Sequence, residues 1–146
     1  VVKWPVKLPA GKTFELPVSS LDVFATSMAV AGAAMPTDRK YDSVNLLPFL
    51  TGSDKRAPHD QLFWRTTRNI WAIRSGDAKL VRLGKTPDEL YDLRSDIGEK
   101  TDLNPSRPAD AARLADTLNA WDRELVPPAF PGATAYQKAK QKKKAK

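Results

Sequence analysis

The chain has 146 residues, with 24 Lys and Arg against 17 Asp and Glu, one His and no Cys. That composition excludes disulfides, thiolate metal sites, a cysteine nucleophile and any multi-histidine metal centre within the chain. The net charge of +7 sits almost wholly in a C-terminal run, where Lys138, Lys140, Lys142, Lys143, Lys144 and Lys146 carry six charges and leave +1 for the rest. A nearly neutral body with a basic tail does not read as a nucleic-acid-binding domain, whose charge would lie on a folded face.

No apolar run reaches 18 residues, so no membrane span is expected. The N-terminus also lacks a basic-then-apolar leader. The chain begins at Val1 rather than Met, which sets the expectation of a true N-terminus upstream.

Val1 to Pro17 contains Pro5, Pro9 and Pro17. The segment VVKWP reads as the end of an extended element, because a residue before Pro is pushed to β or polyproline geometry. PAGK, from Pro9, has turn chemistry. Ser19 to Ala31 reads as a helix: Ser19 followed by Asp22 is a capping signature, and Leu21, Phe24, Ala25, Met28 and Ala29 recur at helical spacing. Gly32 is the expected C-terminal cap. This helix is apolar nearly all round, with Val23 and Val30 adding to the stripe. Such a helix needs burial on several sides. The remaining chain offers little to bury it, which points to a larger body elsewhere.

Pro36 to Asp60 is loop-like, and Val44 to Leu50 within it reads as a short helical turn or a buried connection. Four strands are then expected, at Gln61 to Thr66, Ile70 to Arg74, Lys79 to Leu83 and Glu89 to Leu93. Ser75-Gly76-Asp77-Ala78 has the glycine of a tight hairpin, and Gly84 to Asp88 makes a second turn. Such short connections require antiparallel neighbours, because a parallel pair needs a long crossover.

Ser106 to Leu125 reads as a second helix, with Leu114, Leu118, Trp121 and Leu125 on one stripe and Arg113, Asp116, Asp122 and Arg123 for the solvent side. Pro108 suits its start and Pro127-Pro128 its stop. The stripe is expected to cover one face of the sheet. Gly132 to Lys146 has the composition of a disordered tail.

These fragments, in this order, resemble the C-terminal end of the sulfatase family. WPVKLPAG is similar to the segment leaving the catalytic domain. SSLDVFATSMAVAGAAMP is similar to a buried family helix with a Ser, an Asp and a Thr, here Ser20, Asp22 and Thr26. YDSVNLLPFLTG resembles the family's DG-V-L-PLL-G loop, with Ser43 where Gly is usual. APHDQLFWR, AIRSGDAKLVR and ELYDLRSDIGEKTDL resemble three further signatures, with Ala78 where an aromatic is common. The nearest flavour is bacterial, arylsulfatase-like or N-acetylgalactosamine-6-sulfatase-like.

The resemblance implies an α+β fold. It expects a four-stranded antiparallel sheet covered by a C-terminal helix, preceded by a strand-helix remnant of an alkaline-phosphatase-like catalytic domain. It divides the chain into residues 1–52, the end of that catalytic domain; 53–130, a small C-terminal subdomain; and 131–146, a basic tail. The activity implied is hydrolysis of sulfate esters of sulfated sugars or aryl sulfates, with the alternative of a stand-alone binding module for anionic polymers. The implied partners are the absent N-terminal catalytic domain and the sulfated glycan or aryl sulfate, with no nucleic acid and no membrane span. Periplasmic or extracellular location follows from the same resemblance.

Family chemistry uses a formylglycine, made from the Cys or Ser of a C/S-x-P-x-R motif, and a calcium ion held by acidic residues and Asn. Neither cofactor is expected in this chain, and both are expected in the parent enzyme. The near match to the motif, Ser106-Arg107-Pro108-Ala109-Asp110, has Asp110 where Arg is required, and Ser106 reads instead as a helix cap. No residue of this chain is expected to be catalytic or to bind metal. The substrate-binding candidates are His59, Arg65 and Trp64. His59 precedes a strand in a Pro-containing turn, where it contacts substrate or pins its loop to the large domain. Trp64, with Trp71 and Tyr91, is suited to stack on sugar rings or to pack a core. Arg65, with Arg68 and Arg74, is suited to oxyanions or to surface ion pairs. Asp96, Glu99 and Asp102 lack the calcium-loop pattern and read as a capped turn.

Overall fold

A computed structural model of the chain describes residues 1–66 and 70–127. Arg68, the end of the proline stop and the basic tail lie outside them. The chain divides into two compact units, Val1–Asp60 and Gln61–Lys146.

In the first unit, helix α1 spans Asp22–Val30 and a single helical turn, α2, spans Leu47–Leu50. The N-terminal stretch forms no strand. Trp4 instead accepts the backbone N–H groups of Lys7 and Leu8 at 2.9 and 2.7 Å, closing a turn after Pro5. Pro5 lacks a ladder donor, and an isolated strand has nothing to pair with.

α1 begins at Asp22 rather than Ser19. Three successive i→i+3 bonds, from Asp22, Val23 and Phe24 back to Ser19, Ser20 and Leu21, wind the chain into it. The capping signature is present in altered form: the Asp22 carboxylate reaches back to the Ser19 N–H at 2.7 Å, and Ser19 Oγ accepts from the Leu21 N–H at 3.2 Å. At the other end Gly32 adopts φ +66°. The Ala33 N–H then reaches Met28 O and the Gly32 N–H reaches Ala29 O, the paired bonds of a Schellman cap.

Of the apolar stripe expected on α1, Ala25 alone is buried. Only Asp22 and Ala25 are buried, while Leu21, Val23, Phe24 and Val30 are 57, 65, 42 and 53 % exposed.

The second unit is a four-stranded antiparallel meander in the order β1-β2-β3-β4, with β1 at Gln61–Thr66, β2 at Ile70–Ser75, β3 at Ala78–Leu83 and β4 at Glu89–Asp92. The β2–β3 hairpin turns on Gly76, at φ +59°. Glycine at the first turn position gives the twist that matches the flanking strands. Phe63, Ile73, Leu80 and Leu90 line up across the sheet by direct pairing. Helix α3, Pro108–Arg123, lays Ala111, Leu114 and Leu118 against that row, and Ile73, Leu80, Leu114 and Leu118 reach zero exposure. Phe63 and Trp121 stack at 4.9 Å between ring centroids.

The helix starts at Pro108 with Arg107 as its cap residue, so Ser106 does not cap it. The Ser106 hydroxyl donates instead to Leu103 O at 3.1 Å. A Pro at the first helical position needs no side-chain acceptor for its missing N–H. Leu125 lies beyond the helix and is 37 % exposed, and Asp122, its side chain 39 % exposed, also accepts hydrogen bonds from the sheet. Beside β4, Leu90 donates to Asp102 Oδ1 at 2.9 Å and accepts from the Leu103 N–H at 2.7 Å, so the strand's outer edge is covered.

Leu118 fills the centre of this core. Leu118→Ala is expected to lower the stability of the second unit by about 2–5 kcal/mol, read by urea unfolding. The exposed Ile97→Ala is expected to change it by less than about 0.5 kcal/mol.

Candidate functional site

In the first unit the chemistry converges on one buried carboxylate. Asp22 has zero exposure. Its Oδ2 accepts from the Ser19 N–H at 2.7 Å and its Oδ1 from the Val44 N–H at 3.0 Å. His59 Nε2 lies 2.8 Å from Oδ2 and 3.0 Å from Oδ1. A carboxylate only accepts, so this geometry places the imidazole hydrogen on Nε2. One turn further along α1, Thr26 Oγ1 accepts from the Leu46 N–H at 3.0 Å. Asp22 and Thr26 thus share a helix face and hold two alternate backbone donors of the segment before α2. His59 closes the set from the far end of the loop, its side chain 8 % exposed.

Ser43 lies next to this network. Its hydroxyl is buried and has no hydrogen-bond partner. This is the residue found where the family resemblance expects Gly, so the added side chain contributes an unsatisfied polar atom.

The polar use of one face leaves apolar groups outside. A groove of about 510 Å³ is lined by Trp4, Leu8, Val23, Val30, Leu46 and Leu50, among others. Phe24 stacks on Tyr41 at 5.5 Å.

In the second unit Arg65 and Trp64 are adjacent on β1 and therefore point to opposite faces of the sheet. Arg65 lies on the α3 side. Its Nη1 donates to Asp122 Oδ1 and its Nη2 to Val126 O, each at 3.0 Å, and Trp71 Nε1 donates to the same Asp122 oxygen at 3.1 Å. Arg82 completes this polar tier with a bidentate pair to Asp88, both contacts at 2.7 Å, and a bond to Asn119 Oδ1 at 2.7 Å. The Asp88 contact raises the Arg82 pKa. Trp64, on the other face, is 46 % exposed. His59, Arg65 and Trp64 are thus not one constellation. His59 and Arg65 face carboxylates, and Trp64 alone presents a broad open surface. Arg74 bonds Gly76 O at 2.8 Å.

Tyr91 lies on the Trp64 face, and its hydroxyl donates to Glu89 Oε2 at 2.7 Å. That bond, aided by burial, pushes its pKa up to about 12.

The residues described do not fit the cofactors implied by the resemblance. No group of three or more acidic or His residues comes together as a cation site among them. Asp96 is occupied by the Lys100 and Thr101 N–H groups, and Asp102 by those of Leu90 and Asn104. At the near match to the maturation motif, Asp110 is ion-paired to Arg107 at 2.7 Å. Sequence reasoning singled out His59 but did not pair it with Asp22, 37 positions away. Only the Ser, Asp, Thr pattern of the helix pointed to the Asp.

No family model matches the chain. Among curated proteins it is 35 % identical to human steryl-sulfatase over 74 residues, 51 % of this chain and 13 % of that protein. It is 43 % identical to the N-acetylgalactosamine-6-sulfatase of Canis lupus familiaris over 82 residues, 56 % of this chain and 14 % of that protein. Choline-sulfatase of Rhizobium meliloti (strain 1021) is 33 % identical over 134 residues, 86 % of this chain and 25 % of that protein. The chain is a sulfatase-family segment. A solved structure of Ps i-CgsB in complex with k-i-k-neocarrahexaose superposes on 92 % of the chain with a TM-score of 0.77 and 28 % identity, and the match covers 30 % of that protein. The chain therefore spans about an eighth to a quarter of the curated sulfatases it matches, and partial coverage of this kind fits a C-terminal portion. The meander with its covering helix is the α+β arrangement shared with alkaline-phosphatase-like sulfatase structures.

Two measurements follow from this geometry. Asp22→Ala strands the Ser19, Val44 and His59 donors and is expected to cost the sulfatase segment's first unit about 3–5 kcal/mol, seen as faster amide exchange at Val44. Ser43→Ala removes the orphan hydroxyl and is expected to slow the same exchange, by an amount equivalent to about 1 kcal/mol. Tyr91 is held protonated by the fold. Its contribution to stability is complete below the unfolded tyrosine pKa of about 10 and is lost as pH rises through about 12. Alkaline unfolding of Tyr91→Phe is expected to lack that pH-dependent loss.

Proposed function

We propose that this chain is the C-terminal part of an enzyme that hydrolyses sulfate esters, of sulfated sugars or aryl sulfates. The observation that carries the reading is the match to choline-sulfatase along most of this chain. The local identities to steryl-sulfatase and N-acetylgalactosamine-6-sulfatase support it. Transfer of a sulfuryl group to water builds negative charge on sulfate oxygens, which metal ions and cationic side chains stabilise. Arg65 and Arg82 are committed elsewhere, each facing a carboxylate inside the second unit. The reading therefore assigns the formylglycine and the calcium site to the parent's catalytic domain.

Within that reading, residues 1–52 complete the catalytic domain and 53–130 form the small subdomain. The exposed apolar side of α1 and its groove are the surface that packs on the rest of the parent, because apolar area of that extent is normally covered. The Asp22–His59 pair fixes the loop before β1 to α1, so His59 acts on the cleft by positioning that loop. Trp64 is the residue suited to stack on a sugar ring. The glycan named with Ps i-CgsB, a neocarrahexaose, favours a sugar-borne ester as the substrate class. The secretory location expected of the parent belongs to the same reading.

The test uses the longer protein encoded with this segment. It is expected to hydrolyse an aryl sulfate, whereas the 146-residue chain alone is expected to release no sulfate. Turnover by the isolated chain, or none by the longer protein on aryl or sugar sulfates, would contradict the proposal. Trp64→Ala in the longer protein is expected to raise KM for a sulfated oligosaccharide about 5- to 100-fold and to leave aryl sulfate kinetics unchanged.

A further inference from the structure

The sheet face turned away from α3 keeps two large apolar side chains in the open, Trp64 and Leu83. On that face Trp64 of β1 pairs with Ala72 of β2, and two residues nearer the β2–β3 hairpin Leu62 pairs with Arg74. Residues two apart on a strand share a face. Leu62, Trp64, Ala72 and Arg74 therefore form one patch, on the edge strand β1 and its neighbour. Trp64 and Arg74 are diagonal neighbours, about 7–8 Å apart. Ala72, directly across from Trp64, has only a methyl group to place beside the indole.

Arg74 differs from the arginines around it. Arg65, Arg82, Arg94 and Arg107 each meet a carboxylate. Among the described residues Arg74 meets none, and its Nε donates to Gly76 O at 2.8 Å. That bond draws the guanidinium toward the hairpin. The acids of this face are engaged elsewhere. Glu89 is on β4, three strands and about 14 Å from Trp64, where it accepts from the Tyr91 hydroxyl. Glu99 takes Lys79, the residue across from Arg74 on β3.

An open indole beside an arginine without an acid partner restricts what fits on the patch. An apolar protein surface laid there would strip water from the Arg74 charge and supply no acceptor, which is costly. A sulfated saccharide meets both groups. The C–H face of a sugar ring lies flat on an indole, and a sulfate offers oxygens to the guanidinium fork. A neutral sugar would use Trp64 alone.

We propose that Trp64 and Arg74 form an accessory subsite for a sulfated saccharide, with one ring stacked on Trp64 and a sulfate of the neighbouring ring held by Arg74. That sulfate is a recognition group and not the ester that is cleaved, since neither residue supplies a nucleophile. The ligand class rests on the sulfatase reading above, and the patch rests on the sheet register and on Arg74.

The test is calorimetric binding of a chondroitin sulfate hexasaccharide, and of the same hexasaccharide without sulfate, to the 146-residue chain. Arg74→Gln is expected to weaken the sulfated form at least ~10-fold and to leave the unsulfated form unchanged. Trp64→Ala is expected to weaken both about 5- to 100-fold. Arg74→Lys keeps the charge without the fork and is expected to recover part of the loss. Arg94→Gln removes an arginine already paired with Asp77 and is expected to change neither affinity. Equal losses for the two saccharides on Arg74→Gln, or no loss with either patch variant, overturn the subsite. A loss on Arg94→Gln as large as that on Arg74→Gln overturns it too, because the attraction is then one of overall charge. In the longer enzyme Arg74→Gln is expected to raise KM for the sulfated hexasaccharide at least ~10-fold. An unchanged KM there also overturns the proposal, since the rest of the parent then covers the face. A longer enzyme inactive on every sulfate ester counts against the sulfatase reading, while the contrast between the two saccharides on the chain still decides the subsite.

Discussion

The Asp22 carboxylate, with zero exposure, takes hydrogen bonds from the start of its own helix, from Val44 and from His59. Removing an ionised carboxylate from water is costly unless its acceptor sites are filled. Here they are filled by donors from three places in the chain, so the helix start, the segment before α2 and the residue pair before β1 are fixed together. Thr26 repeats the arrangement one turn along with Leu46. The fold of residues 1–60 depends on this polar seam far more than on an apolar core, since Ala25 is the one apolar residue of α1 that is buried.

That dependence explains the other unusual property of α1. A helix whose inner face is polar has its apolar residues turned outward: Val23 and Val30 line an open apolar groove, and Phe24 is also exposed. In a self-sufficient domain such a pattern would be inverted. The chain covers about an eighth to a quarter of its sulfatase relatives, and in the function proposed above this face packs on the rest of the parent. The second unit differs. Its sheet and α3 enclose their own row of Ile73, Leu80, Leu90, Leu114 and Leu118, and Arg65 and Arg82 are paired with Asp122 and Asp88.

The second unit was the part most legible in the sequence. Alternation, Gly76 and short turns specify an antiparallel meander nearly to the residue, because strand period and turn chemistry are local. Leu114 and Leu118 announce α3 in the same way. Local signals failed where tertiary partners decide. The Ser19 cap moved to a turn before Asp22, and Ser106 yielded to Arg107 and Pro108. Of the apolar positions at helical spacing on α1 only Ala25 is buried, since the buried Asp22 and its donors set the inner face. Asp122, read as a solvent residue, keeps 39 % exposure but also accepts from Arg65 and Trp71, which spacing does not foretell. His59 stood out as the lone histidine, but its partner lies 37 residues away, beyond any spacing rule.

We infer that α1, held in shape by Asp22 and with its apolar side exposed, packs on a larger body. Amide exchange over residues 22–30, compared between the 146-residue chain and the longer protein that contains it, tests this most directly. The account expects weak protection in the isolated chain and protection higher by at least ~100-fold in the longer protein. Equal protection of α1 in both would contradict it.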